Sequence, residues 1–435
     1  MKFPKFFLRT NIPIIGADKQ CIGKIPSRVA RELIKSNHAR IVRNHPPVIG
    51  LEHTKSKRPP PERTVAKNPL KNIISAACLF IPGKSYKRIL NTILFQTVNK
   101  RLCITATDLE SCFTGYLELE NLFTFACDGA DAICINADSL KKILFRCDKI
   151  NHLTISGGNK PGLQIDSFFI EGTPADEFPE IPLPNGKQYA CAIDDIAKKL
   201  AFVSLALSSS RYNGPFSGIY FDGKHGQMVC TDGNRLHMAP LGGKGNLGAS
   251  VIVPPTLLKV AKFLNGYVTF AEHKDNNEIQ TDSIFGLNIP GCAHATVRYR
   301  SIEGRFPDYS EVIPKDFASA FKANTKELLR ILINAQMAAK INNDLESVIC
   351  EFRDDLLKVT LKHHDTIVYY GMVKGEYTGH NYLGQMNIHY IADSIKDMPC
   401  DSVEIGLQKM ATEGWVIRCA GYVAMIMPMD TGSKN

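Results

Sequence analysis

Leu102-Cys103-Ile104-Thr105-Ala106-Thr107-Asp108 and Met228-Val229-Cys230-Thr231-Asp232 are the stretches whose reading decides how this chain folds. Each is an apolar strand ending on Thr-Asp, and the two aspartates stand 124 residues apart. Around them one order of elements returns. An amphipathic helix is expected over Asn68–Phe80, Ala192–Leu207 and Asn324–Lys340. A strand, a polar turn and a second strand follow each: Thr92–Val98 before Leu102–Ala106, Gly218–Phe221 before Met228–Cys230, and Ser347–Phe352 before Leu357–Thr360. A second helix then leads into a strand: Ser139–Arg146 before Leu153–Ile155, Thr256–Leu264 before Val268–Phe270, and Tyr390–Lys396 before Val403–Ile405. Each unit closes on an aromatic residue or Met before proline, at Phe178-Pro179, Phe306-Pro307 and Met427-Pro428. Landmarks returning at one period define repeats. The fold class expected is α+β, with three repeated domains of two helices on antiparallel sheet. Their bounds are 63–183, 184–313 and 314–435, after an N-terminal extension over 1–62.

A repeat of this length holds its own core, so the units are beads rather than turns of a solenoid. A bead of this size has a radius of gyration of roughly 14 Å and a diameter of roughly 36 Å. Three in a closed ring leave a hole of about 6 Å, and six leave about 36 Å, wider than a duplex of about 20 Å. A head-to-tail pair of chains therefore makes a ring of the right size for DNA.

Charge divides the chain at the same place. Residues 1–66 hold 14 Lys+Arg against 4 Asp+Glu, a net of +10 within a total of +9. The remainder carries 38 basic and 39 acidic residues. A basic segment on a neutral body points to an anion-facing arm. Within it Ser27–Ser36 fits a short helix with Val29, Ala30, Leu33 and Ile34 on one face, and Ala39–Arg43 fits a strand. Lys55–Pro61 reads as a basic, Pro-rich linker. The stretch Ile25–Leu51 is similar to a small basic motif near the start of some HNH-nuclease-associated proteins, without the nuclease's catalytic residues. A disordered arm is the competing reading.

Several signals exclude function classes. No apolar run reaches the roughly 18 residues of a membrane span, and the start of the chain lacks a small-residue cleavage site. The 13 cysteines include no Cys-x-x-Cys, so reduced, mostly buried thiols are expected rather than disulfides or a metal site. Gly83-Lys84-Ser85 looks like the end of a phosphate-binding loop, but Cys78 stands where its first glycine belongs and Pro82 interrupts it. Gly242-Gly243-Lys244-Gly245 reads as a flexible connection, and His363-His364-Asp365 as a surface turn. No Ser-His-carboxylate set converges.

Three further stretches are more specific. Cys230-Thr231-Asp232-Gly233-Asn234-Arg235-Leu236, Glu303-Gly304-Arg305-Phe306-Pro307-Asp308-Tyr309 and Met425-Ile426-Met427-Pro428-Met429 resemble the bacterial replicative sliding clamp, the beta subunit of DNA polymerase III. Ala106-Thr107-Asp108-Leu109-Glu110 and Asp176-Glu177-Phe178-Pro179 resemble its first-domain signatures, and the likeness covers about 63–430. It implies a non-enzymatic homodimeric ring on double-stranded DNA. It also implies the DNA polymerase III catalytic subunit, a clamp loader and other clamp-binding-motif proteins as partners, no cofactor, and a cytoplasmic, nucleoid-associated place. The resemblance further implies a peptide-binding cleft at Thr231, Gly233, Arg235, Leu236, Pro307, Val312, Ile388, Met425, Met427, Pro428 and Met429. Met-rich surfaces repack around different apolar anchors, which suits a hub. DNA contacts fall at Lys84, Arg211 and Tyr212, and a subunit interface at Phe168, Ile170 and Met337. Asp430 departs from the basic residue common at the end of such chains and disfavours acidic clients. The alternative is a divergent clamp-like accessory or repair factor that does not close a ring.

Overall fold

The computed structural model describes 68–429, apart from positions 84, 86, 120–123, 148, 182–183, 185, 209–213, 246–247, 276–277 and 344, and four N-terminal strands. The chain forms two compact units, Met1–Ala66 and Lys67–Asn435. In the first, strands Asn11–Ile15, Cys21–Pro26, Ala39–Asn44 and Pro47–Leu51 make one sheet. The second and third of these are its two edges. The helix expected over Ser27–Ser36 lies outside the described residues, whereas the strand at Ala39 is present.

The second unit repeats one α+β design. The first helices of the repeats are α1 (Pro69–Ala77), α3 (Ile196–Ser204) and α4 (Thr325–Ile341). The second helices are α2 (Ala137–Arg146) and α5 (Ile388–Lys396), while the middle repeat winds Pro255–Phe263 as a 3₁₀ helix after Pro254-Pro255. Four helices begin on an asparagine whose side chain accepts from free backbone N–H groups: Asn68, Asn136, Asn324 and Asn387. At α3 Asp195 is left-handed and supplies no such bond.

The strands join into two long sheets that cross the repeat borders. Ser111–Glu118 of the first repeat pairs antiparallel with His294–Arg300 of the second, within a 13-stranded sheet. Arg235–Pro240 of the second pairs with Tyr422–Ile426 of the third, within a 12-stranded sheet. Two-residue turns with positive φ, at Asn99-Lys100 and Asp354-Asp355, close equivalent hairpins in the first and third repeats. Alternate residues of the strands meet the helices in the core, with Phe80 stacked on Phe113 and Phe352 edge-on to Trp415.

The cysteine expectation needs one correction. Cys400 and Cys419 form a disulfide, because the loop leaving α5 lies beside the end of strand Trp415–Cys419. Cys103, Cys112, Cys134, Cys230 and Cys350 are buried free thiols, and burial pushes Cys112 and Cys134 up to about 11.

Candidate binding cleft between the second and third repeats

The cleft begins with a loop that its own sequence folds. The Thr231 hydroxyl donates to the Arg235 carbonyl at 2.7 Å and accepts from Gly233 N at 3.1 Å. Asp232 Oδ1 accepts from Asn234 N and Arg235 N, each at 3.0 Å, an Asx turn. Gly233 sits at φ +91°, where a side chain is strained. The first repeat builds the same loop, with Thr107 bonded to Ser111 O and Leu109 N, and Asp108 to Glu110 N and Ser111 N.

Arg235 fastens this loop to the third repeat. Its Nε donates to Asp232 at 3.1 Å and its Nη1 to Asp393 of α5 at 2.8 Å, with the guanidinium 4.3 Å from the Tyr390 ring centre. One residue along, Leu236 lies opposite Met425. Asn234 O accepts from Met427 N at 2.9 Å, extending the inter-repeat ladder to the cleft rim. The opposite wall is Phe306-Pro307-Asp308-Tyr309, with Phe306 stacked on Tyr220 at 4.5 Å and edge-on to Phe216.

These walls enclose a largely apolar hollow of about 390 Å³. Eight expected residues line it: Thr231, Gly233, Arg235, Leu236, Pro307, Val312, Met425 and Met427. Val312 and Met427 are 54% and 40% exposed, leaving apolar surface open to a ligand. Ile388 does not line the hollow. As the first residue of α5 it is fully buried in the core, because Asn387 turns the chain inward there. Pro428 and Met429 continue past the hollow, where Met429 N donates to Gln385 O. Phe216, Asn234, Asp308 and Tyr309 are lining residues the sequence reading did not select. Gly414 backs the floor, since a Cβ there would lie 2.6 Å from the Met425 methyl and 3.2 Å from the Met427 sulfur.

Two buried polar groups hold the walls. Tyr309 OH donates to Asp222 at 2.7 Å, and His225 contacts the same carboxylate oxygen at 2.7 Å. Burial opposes the Asp222 charge, but these bonds outweigh it and hold the carboxyl below its ordinary range. His237 is fully buried, with Nδ1 donating to Phe202 O of α3 and Nε2 facing the Ser394 hydroxyl of α5. Burial, aided by nearby Arg235, pushes its pKa down to about 4, so it is neutral at pH 7.

The other expected sites divide. Lys84, Arg211, Tyr212 and Asp430 lie outside the described residues. Phe168 and Met337 are exposed, at 42% and 60%, whereas Ile170 is buried within the chain. Phe145 at the end of α2 is 83% exposed and was not foreseen. Among the described residues no His, Cys, Asp or Glu cluster could hold a metal, and no helix is long and apolar enough to cross a membrane.

No family model matches the chain. It is 23% identical over 381 residues to the beta sliding clamp of Haemophilus influenzae, covering 84% of this chain and 99% of that one. Among solved structures it superposes on the DNA polymerase sliding clamp of Bacillus subtilis, with a TM-score of 0.70 and 16% identity, over 84% of this chain and 98% of that one. It also superposes on the Pseudomonas aeruginosa sliding clamp (DNA polymerase III subunit beta) bound to griselimycin, with a TM-score of 0.69 and 19% identity, over 84% and 98% of the two chains.

Proposed function

We propose, for a chain with the sliding-clamp fold, that it is a DNA sliding clamp: a head-to-tail homodimer that encircles duplex DNA and catalyses no reaction. The observation that carries this reading is the strand pairing at its two internal borders. At the first, Phe113 lies opposite Val297; at the second, His237 lies opposite Ala424. These positions are equivalent. Each of Phe113 and His237 follows a Thr-Asp turn by the same number of residues, and both pair with one buried position of the preceding strand, Ala106 or Cys230.

The third repeat offers the same strand, Thr366–Thr378, and the first repeat the same acceptor, Phe168–Pro174. Counted from the two-residue turns, Leu361 matches Ala106, so its partner Tyr369 matches Phe113. Ile165–Phe168 and Cys419–Tyr422 close matching hairpins, so Ile170 matches Ala424. A second copy then sets Tyr369 opposite Ile170 and Tyr370 opposite Phe169. Five exposed apolar side chains fall there: Ile367, Tyr370 and Met372 on one edge, Phe168 and Phe169 on the other. The helices agree. At the second border α3 meets α5 through His237, Phe202 and Ser394. The equivalent meeting brings Ile333, Met337 and Ile341 of α4 to Phe145 of α2 in the other copy. The repeats so joined are 63–183, 184–313 and 314–435.

The cleft then serves as the client site. Its apolar hollow, adaptable methionines and backbone rim suit a short peptide with apolar anchors, such as one from a DNA polymerase III catalytic subunit, a clamp loader or another replication or repair protein. Solution mass tests the ring: a species near twice 48.2 kDa is expected, and Met337→Arg with Phe145→Lys, which sets like charges face to face at the junction, should give the single-chain mass. Loaded on nicked circular DNA, the dimer should survive high salt and leave when the circle is cut. A monomer, or loss at high salt, would favour the accessory-factor reading. Griselimycin serves as a probe of the cleft, and Met427→Asp should weaken its binding at least roughly tenfold.

A further inference from the structure

The plan of the client cleft occurs twice in the chain. At the first border the hollow between the repeats measures about 230 Å³, and its walls correspond to those of the cleft. The Thr107–Cys112 loop stands where Thr231–Leu236 stands, and Pro179-Glu180-Ile181 where Pro307-Asp308-Tyr309 stands. The backbone rim is kept as well. Arg300 N donates to Glu110 O at 3.0 Å, as Met427 N donates to Asn234 O at 2.9 Å. Leu109 holds the left-handed conformation of Gly233, φ +77° against +91°, although a side chain disfavours it there.

The two floors differ. Cys112 lies opposite Arg298 and Leu236 opposite Met425, so Arg298 stands in the place of Met425. Two residues on, Arg300 stands in the place of Met427. Ile284 lies opposite Arg298 and Val416 opposite Met425, which puts Asp282 in the place of Gly414. A glycine and two methionines thus give way to an aspartate and two arginines. Asp282 and Arg298 lie 3.7 Å apart with their side chains only 12% and 20% exposed, while Arg300 is exposed. An apolar side chain seated here would strip water from these charges and offer no hydrogen bond in return, a cost greater than its own burial offsets.

We propose that the first border is a second copy of the client cleft, closed to apolar peptides by Asp282, Arg298 and Arg300. The inference rests on the client-cleft reading of the second border. It leaves each chain one client site, hence two on a ring of two chains, and makes these three residues the ones that decide between the borders. Specificity of this kind comes from an unfavourable element at the wrong site as much as from good contacts at the right one.

Calorimetric titration of the full chain with griselimycin counts the open clefts. The unaltered chain should take one equivalent, and Asp282→Gly/Arg298→Met/Arg300→Met should take two. Added to Met427→Asp, the same three changes should recover at least roughly tenfold in affinity. A version with Asp282→Ala in place of glycine covers the case in which glycine unsettles strand Glu278–Leu287. Arg298→Lys/Arg300→Lys keeps the charges and should still take one equivalent. Fewer than two equivalents in both floor variants overturns the proposal. A second equivalent in the lysine variant, or in the unaltered chain, overturns it too, since charge would then not be what closes the border. Failure of the unaltered chain to bind at all would instead overturn the client-cleft reading, and this inference with it.

Discussion

Arg235 is the residue on which the cleft depends most. It is largely buried, bonded to two carboxylates on different repeats and laid on an aromatic ring. Removing one partner of such a cluster leaves the others unpaired. Arg235→Ala should therefore cost roughly 2–3 kcal/mol in urea unfolding, and weaken griselimycin binding as well. His237 gives a pH dependence of known sign. Its folded pKa lies below its unfolded value, so the unfolded chain takes the proton first. The stability it confers is complete above about pH 6.5 and falls as the pH drops toward about 4, by up to roughly 3 kcal/mol. His237→Gln should flatten that part of the urea-stability profile against pH. The Thr231–Leu236 loop was legible because its turn chemistry is local. Tyr309 and Phe216 were not, since an aromatic residue in a loop looks the same whether it lines a cleft or fills a core. Ile388 shows the converse: a position suggested by likeness alone turned inward.

At the scale of elements, asparagine is the signal that starts four helices, and it stands in the sequence at Asn68 and Asn324 where the first helices were expected. Asn324→Ala should lower stability by about 1 kcal/mol in thermal or urea unfolding, while the uncapped α3 offers no comparable residue. Helix periodicity foretold α1, α3 and α4 to within a turn or so at most of their ends. It did not foretell the 3₁₀ winding of Pro255–Phe263, which keeps the same apolar spacing over a few residues. The N-terminal sheet was half hidden. Pro13 and Gly23 interrupt the alternation in its strands, and the irregularity at Arg43 cannot be seen without the partner strand. The disulfide was invisible for a similar reason, because only the packing of α5 against the final hairpin brings Cys400 to Cys419.

For the whole molecule, the repeat was readable because three kinds of landmark returned together, and the charge partition because it is a sum. Which edges join was not readable, since strand order depends on contacts far apart in the chain. The pairing proposed between copies gives its own check. Phe169→Cys with Tyr370→Cys should form a covalent dimer under mild oxidation, seen as a doubled mass on a non-reducing gel, and neither single variant should. So locked, the ring should no longer be removable from circular DNA except by cutting the circle or reducing the bond. The two sheets that run through the repeat borders also set how the molecule bears load. At each border the strands lie side by side, so a pull along their length stretches the whole row of bonds at once. A twist that lifts one end breaks them singly. Inside the chain a covalent connection limits such peeling, whereas a junction between copies has no such tether. A force strong enough to open the ring would find its weakest line there.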